Sequence, residues 1–493
     1  MTDVEPHRLV QDRLKKVEEL RAAGINPYPY AFAQTHHAAD ILTKHAKLKP
    51  EEKTTDKVAI AGRVVLFRNM GKLAFGQVMD ASGTIQVMLS KKELEKSWPV
   101  VERVDMGDFI GVTGVVVATR TGEITVYASG VELLAKSLRP LPDKHKGLQD
   151  TETKYRKRYL DLIANPQIKE TFVKRSTIIK TMRNYLDGLG FVEVETPTLQ
   201  PIYGGAAARP FTTHHHALDL KLYLRISDEL YLKRLLVGGF ERVYEICKDF
   251  RNEGVDTRHN PEFTMLEWYM AYGDYNDGMR MFEELMGRCC MAVNGTTTAE
   301  FQGKTLEFKA PWRRVKMTDL IKEHAKIDVT KKDAKELAEF CKKHGVEHGK
   351  KDTWGILVQH LFEHFCEEHL VQPTFVIDHP IETTPLCKPL RDGDNRLVER
   401  FEAFCAGMEI CNAYSELNDP ALQKRLLQNQ HELKMAGDEE ANLMDEDFIE
   451  AIEHGMPPTS GLGVGIDRVV MLLTGKPSIR DVIFFPTMKP QSK

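Results

Sequence analysis

Residues 241–272 read ERVYEICKDFRNEGVDTRHNPEFTMLEWYMAY. Two runs of β-forming residues flank a polar, glycine-bearing turn, so the segment predicts an antiparallel strand–turn–strand unit. Alternate residues of a strand share a face. That places Arg251 beside Glu253 on the first strand and lines up Phe263, Met265, Glu267 and Tyr269 on the return strand. One face then offers a cation, carboxylates, an aromatic ring and a phenol. A salt-bridged structural face would account for the charges but not for the ring among them, because a purely structural buried face is apolar.

A second strand-like stretch, MEICNAYSELNDP at 408–420, brings Asn412, Tyr414 and Glu416 onto one face, with Glu402 and Glu409 upstream. Carboxylates beside nucleotide phosphates suit a Mg²⁺ site that uses few protein ligands. YGGAAARPF at 203–211 supplies small residues where backbone must approach a ligand. Near the C-terminus stands GLGVGIDRVVMLLTG, residues 461–475. Its spacing is not the dinucleotide fingerprint, and Val470 and Pro477 break the phosphate-loop pattern. A glycine-rich strand packed on a helix would explain the glycines but not Arg468. That residue falls in the first helical turn, where the macrodipole disfavours a cation unless an anion accompanies it.

The chain around these motifs has 493 residues, enough for two or three domains. It is 42% hydrophobic and 28% charged, which excludes wholesale disorder. No apolar run is long enough to span a membrane, and the first twenty or so residues lack the apolar core of a secretory signal. Eight cysteines without a C-x-x-C pair fit free thiols in a reducing cytoplasm. The net charge of −4 requires any nucleic-acid site to be a local patch.

Residues 1–56 read as an N-terminal helix, over 7–24, followed by an extended segment forced by Pro27 and Pro29. From 57 to 140, five short β runs with one helix-like insert predict an all-β OB barrel. On those strands Arg68, Phe75, Gln86 and Glu123 offer a ring to stack on and groups for base edges, as a reader of single-stranded bases needs. A plain barrel without a ligand is the alternative. Residues 141–165, polar and basic, read as a linker, and 166–493 as a larger domain in which helices alternate with strands. Within it, 330–370 reads as a helical surface insert. His360 and His364 have helical ligand spacing, but HLFEH lacks the H-E-x-x-H order, and Cys366 and His369 do not complete a ligand set.

FRNEG…HNPEF resembles the second signature motif of class II aminoacyl-tRNA synthetases, GLGVGIDR the third, and GFVEVETPTL with Pro197 the first. YGGAAARPF, ELYLKRL, HNPEFTMLEWYMAYGDY and NAYSELNDP resemble the lysyl-tRNA synthetase branch of that family. The likeness runs from the N-terminal helix to the last strand.

The resemblance implies an α+β catalytic domain, an antiparallel sheet flanked by helices, with an OB barrel that reads the anticodon of tRNA(Lys). It implies a homodimer built on the first motif, and ligation of lysine to tRNA through lysyl-adenylate made from ATP with Mg²⁺. Carried over residue by residue, Arg251 holds the α-phosphate and Arg468 the γ-phosphate. Phe263 stacks on adenine, with Arg468 on the other side. Glu253, His259 and Asn260 fix the nucleotide, and the glycines, Gly465 among them, give it room. Glu402 and Glu409 bind the metal. Gly205 and Glu229 take the lysine α-ammonium and Asn412 its carboxylate. Glu267, Tyr269 and Glu416 surround the ε-ammonium, with Tyr414 beside them. Two positions depart from the bacterial pattern: Thr384, where Ser is expected before Pro385, and His216, where Asn is common.

Three rivals differ in specific features. An aspartyl or asparaginyl enzyme needs cations in its pocket, whereas this one offers Glu, Glu and Tyr. A lysyltransferase acting on elongation factor P lacks the barrel. A regulatory paralogue is expected to have lost an arginine or a metal carboxylate.

Overall fold

The computed structural model describes residues 4–142, 148–349, 351–435 and 443–491, arranged as two units, 1–149 and 150–493. In the first, helix α1 (Val4–Ala22) precedes a closed barrel of β1 (Lys53–Asn69), β2 (Leu73–Met79), β3 (Thr84–Ser90), β4 (Phe109–Ala118) and β5 (Ile124–Ala135). The strand order is β1-β2-β3-β5-β4. Period-two alternation builds it: Ala74 and Val78 of β2 and Ile85, Val87 and Leu89 of β3 point into the barrel core, and Phe75 and Gln86 point out.

The second unit is organised by an eight-stranded sheet. In chain order its strands are β6 (Val192–Glu193), β7 (Arg242–Phe250), β8 (Glu262–Ala271), β9 (Arg313–Lys316), β10 (Thr374–Pro380), β11 (Leu397–Cys405), β12 (Met408–Ser415) and β13 (Thr459–Gly465). They lie side by side as β9-β10-β11-β12-β13-β8-β7-β6. The pairs are antiparallel except β9 with β10 and β7 with β6. On one face, Leu266 and Trp268 of β8 pack with helices α2 (Ile168–Gly188), α3 (Tyr275–Asn294) and α4 (Ile466–Thr474), forming the main core. The alternate residues of β8 face the other way, where the helices Glu229–Val237 and Glu446–Glu453 pack on part of the sheet. The rest of that face is open to a cavity.

Three expectations change. Strand β7 ends at Phe250, whose partner Glu262 closes the register, so Arg251 and Glu253 stand in the connecting turn rather than on the strand. Residues 141–165 are not simply a linker. Residues 143–147 lie outside the described residues, but Thr151–Arg156 and Arg158–Ala164 are helical. Arg158, fully buried, pairs with Asp161 at 2.9 Å and donates to the carbonyls of Arg480 and Phe484, so that stretch is anchored in the second unit. The 330–370 segment, of which residue 350 is not described, is more than a surface feature. Its helix Trp354–Phe365 buries Leu357, Val358, Leu361 and Phe362 in a separate core, because its apolar side matches that of Met317–His324. His360 faces Asp352 at 3.4 Å, and neither it nor His364 belongs to a metal-ligand cluster among the described residues.

Candidate active site

A cavity of about 660 Å³ lies over the open face of β8, β12 and β13, and every residue predicted for the second unit's site lines it. Its two ends differ in charge.

The acid end is built where the Glu229–Val237 helix meets β8 and β12. Glu229, in the helix's first turn, accepts from Lys233 Nζ at 2.6 Å and from the Tyr414 hydroxyl at 2.6 Å. Lys233 also pairs with Glu416 and is wholly buried. Burial works against its ammonium, but the two carboxylates outweigh it and raise its pKa. Glu267 accepts from Ser227 Oγ and Tyr269 Oη, each at 2.9 Å. Burial pushes the Glu416 carboxyl up, against the pull of Lys233, and pushes Glu267 up as well. Three carboxyl groups therefore stand at this end with one internal ammonium, which contacts Glu229 and Glu416.

Two glycines make this packing possible. Gly205 has φ +87°, and a Cβ there would press on Ser227 Oγ and Glu229 Cβ. A Cβ on Gly461 of β13 would fall on Glu416 Oε1 and the Tyr269 ring.

Arginines mark the other end. Arg251 lies over the Phe263 ring, 5.1 Å from its centroid, and its buried Nε has no hydrogen-bond partner. Arg468, in the first turn of α4, donates to the Glu409 carbonyl at 2.7 Å, approaches the Glu409 carboxylate at 3.5 Å and touches His259 Nε2 at 3.1 Å. The anionic partner expected for it is thus Glu409 within the protein. His259 is held by Asp256 at 2.8 Å. Asn260 does not reach freely into the cavity: it bonds the Glu262 carbonyl and receives the Thr487 N–H, fixing the start of β8. Glu253 is exposed on the turn.

Glu402 on β11 and Glu409 on β12 sit beside these cations. Burial raises both carboxyls, and for Glu409 the neighbouring Glu402 adds to the effect. Two hard oxygen donors beside an open cavity are of the kind Mg²⁺ takes, and Glu402 and Glu409 are the residues that would hold it.

Sequence reasoning missed Lys233, Arg400 and Glu363. Lys233 had a signal, its i,i+4 spacing from Glu229. Arg400 pairs with Glu402 two residues along β11 at 2.5 Å and donates across to Asn412 Oδ1 on β12 at 3.0 Å, the second contact being visible only once β11 and β12 are in register. Glu363 reaches the cavity from the insert helix. Thr384 also lines the cavity. His216 is an exposed neighbour of His214, 5.1 Å between rings, and does not line it.

On the barrel, Arg68, Phe75, Gln86 and Glu123 line one groove of about 610 Å³. Arg68 is the cross-strand partner of Phe75. Glu123 ties Gln86 (2.6 Å) and Gln77 (2.9 Å) together, and Gln77 was not foreseen. Phe75 is only part-buried and stays out of the barrel's apolar core.

Residues 150–489 match the family "tRNA synthetases class II (D, K and N)", and residues 58–134 match "OB-fold nucleic acid binding domain". The chain is 52% identical to the Lysine--tRNA ligase of Pelotomaculum thermopropionicum, over 98% of this chain and 96% of the relative. It is 51% identical to that of Carboxydothermus hydrogenoformans over the full length of both. With that of Halalkalibacterium halodurans it shares 50% identity over 98% and 97% of the two chains.

Proposed function

The chain belongs to the class II tRNA synthetases of the D, K and N group, and on that footing we propose that it ligates L-lysine to tRNA(Lys) with ATP, through lysyl-adenylate. The observation that carries the lysine assignment is the pairing of an acid end (Glu229, Glu267, Glu416) with an arginine end in one cavity. A dicationic amino acid fits the first and a polyphosphate the second. The Lys233 ammonium at that end is taken up by Glu229 and Glu416, so among the described residues an aspartate side chain finds no uncommitted cation beside Glu267 and Tyr269.

The α-ammonium rests near Gly205 and Glu229, the ε-ammonium near Glu267, Tyr269 and Glu416, and Asn412 takes the carboxylate. Arg251 holds the α-phosphate, an assignment supported by its unpartnered Nε. Phe263 stacks with adenine, Arg468 meets the terminal phosphate, and Glu253, His259, Asn260 and Gly465 shape the nucleotide site. A lysine carboxylate oxygen attacks the α-phosphorus, the bond to the β-phosphate oxygen breaks and diphosphate leaves. A ribose hydroxyl at the tRNA terminus then attacks the carbonyl, the bond from that carbonyl to the α-phosphate oxygen breaks, and AMP departs with its phosphate taking up the hydroxyl proton. Catalysis is positioning and charge stabilisation, without a covalent enzyme intermediate. Glu402 and Glu409 would hold Mg²⁺, which neutralises phosphate charge when bound.

The barrel reads the anticodon through Arg68, Phe75, Gln86 and Glu123. A homodimer forms through the first motif, residues 190–199, where Val192 on β6 and Leu199 further along are exposed apolar residues. The protein works in the cytoplasm. All eight cysteines are buried free thiols, and no helix among the described residues is long and apolar enough to cross a membrane.

ATP–diphosphate exchange with each of the twenty amino acids tests the assignment. Stimulation by lysine is expected; stimulation chiefly by aspartate or asparagine would overturn it.

A further inference from the structure

Behind the acid end lies a group of acids that this mechanism does not use. Asp228 occupies the N-cap position of the Glu229–Val237 helix but caps nothing, and it is fully buried. Neither of its carboxylate oxygens faces a donor, and the same holds for Asp249 Oδ2. Acceptor oxygens of Asp228, Asp249 and Glu267 lie within 4.8 Å of one another, and Asp228 is as close to Glu245 and Cys247.

The charged and titratable groups around Asp228 come from three elements. Strand β7 contributes Glu245, Cys247 and Asp249; β8 contributes Glu267 and Tyr269; the segment entering the helix contributes Arg225, followed by Glu229. Arg225 is already committed, to Glu245 at 2.6 Å and Asp249 at 3.5 Å. Glu245 also accepts from Thr196, and Glu267 from Ser227 and Tyr269. No cation among these residues is left for Asp228. Two buried carboxylates side by side without a counter-ion do not both ionise.

We propose that Asp228 is a positioning residue that holds a proton at neutral pH and donates it in a hydrogen bond to Glu267, so that Glu267 stays ionised for the substrate ammonium. The electrostatics agree. Burial, followed by Glu267 and Asp249, drives the Asp228 carboxyl well above its ordinary range, and the contact with Asp228 draws Glu267 down against its own burial. Burial and Glu267 lift Asp249 to about 7, so the second acid facing Asp228 is itself part-protonated near neutrality.

The role assigned to Glu267 rests on the lysine-pocket reading; the protonation of Asp228 does not. The test compares wild type, Asp228→Asn and Asp228→Ala. The infrared difference spectrum of wild type minus Asp228→Asn at neutral pH should show a protonated-carboxyl stretch that fades as the pH rises, whatever bands the other buried acids contribute to both proteins. Because the folded-state pKa is raised, the folded protein binds more protons than the unfolded one, and wild type loses stability as pH rises from about 4. The Tm advantage of Asp228→Asn over wild type should therefore grow with pH. In lysine-dependent ATP–diphosphate exchange, Asp228→Ala should move the acid limb of kcat/KM for lysine up by about one pH unit, because a donor to Glu267 is lost. Asparagine, which keeps a donor, should restore it.

A difference spectrum without that band, for a wild type that still shows lysine-dependent exchange, would overturn the proton assignment alone. A stoichiometric divalent cation in purified wild type that is absent from Asp228→Asn would overturn it in favour of a metal site. Exchange that does not depend on lysine would instead remove the pocket reading.

Discussion

Lys233 places its ammonium between Glu229, at 2.6 Å, and Glu416, with no part of its side chain exposed. The acid end of the cavity thus contains a cation of its own before any substrate arrives. That ammonium pulls against the burial that pushes the Glu416 carboxyl up.

Removing this ammonium should be costlier than removing either carboxylate's charge. Lys233→Met leaves two uncompensated buried carboxylates, and breaking such a pair costs about 3–5 kcal/mol. Denaturant unfolding of Lys233→Met and of Lys233→Met/Glu416→Gln should show the double variant recovering part of the loss. A single variant as stable as wild type would mean the pair contributes nothing.

Glu416→Gln keeps shape and loses a charge facing a desolvated cation. A charge-assisted bond there is worth roughly 2–4 kcal/mol, so kcat/KM for lysine should fall about 30- to 1,000-fold while ATP binding changes little. Near-normal lysine exchange would sink the ammonium assignment.

Gly461→Ala puts a methyl group where Glu416 Oε1 and the Tyr269 ring meet. Overpacking of this kind costs about 1–3 kcal/mol. Here the expected signature is a raised KM for lysine with unchanged KM for ATP, read by exchange kinetics. An equal rise in both would place the strain elsewhere.

Glu402→Ala and Glu409→Ala should each raise the Mg²⁺ concentration needed for adenylate formation. The two differ in a second respect. Glu409 also meets Arg468 at 3.5 Å, so its loss should additionally weaken ATP binding. A wild-type Mg²⁺ titration for either variant would make that residue structural.

Phe75→Ala should reduce tRNA charging about 5- to 150-fold at limiting tRNA, since a base–aromatic stack is worth roughly 1–3 kcal/mol. Exchange needs no tRNA and should hold. Phe75 stands outside the barrel's apolar core, so the Tm should hold too. A fall in charging and Tm together would make it a packing residue.

The sequence by itself determined the strand pattern and which residues gather around the candidate site's cavity. Period-two alternation on β8 separated Phe263, Met265, Glu267 and Tyr269 from Leu266 and Trp268, and the structure puts the first group on the cavity and the last two in the core. That was legible because a strand's side-chain period is a local property of the backbone. Strand ends were less so: Arg251 fell on the turn because hydrogen-bond register between β7 and β8, not residue type, stops the ladder at Phe250. Only the tertiary structure decided which charges neutralise which. Lys233 with Glu416, Arg400 with Asn412, Arg468 with Glu409 and Asp228 beside Glu267 all join different secondary-structure elements. The protonation of a buried group depends on what is folded against it, and burial and pairing arise only when distant segments come together.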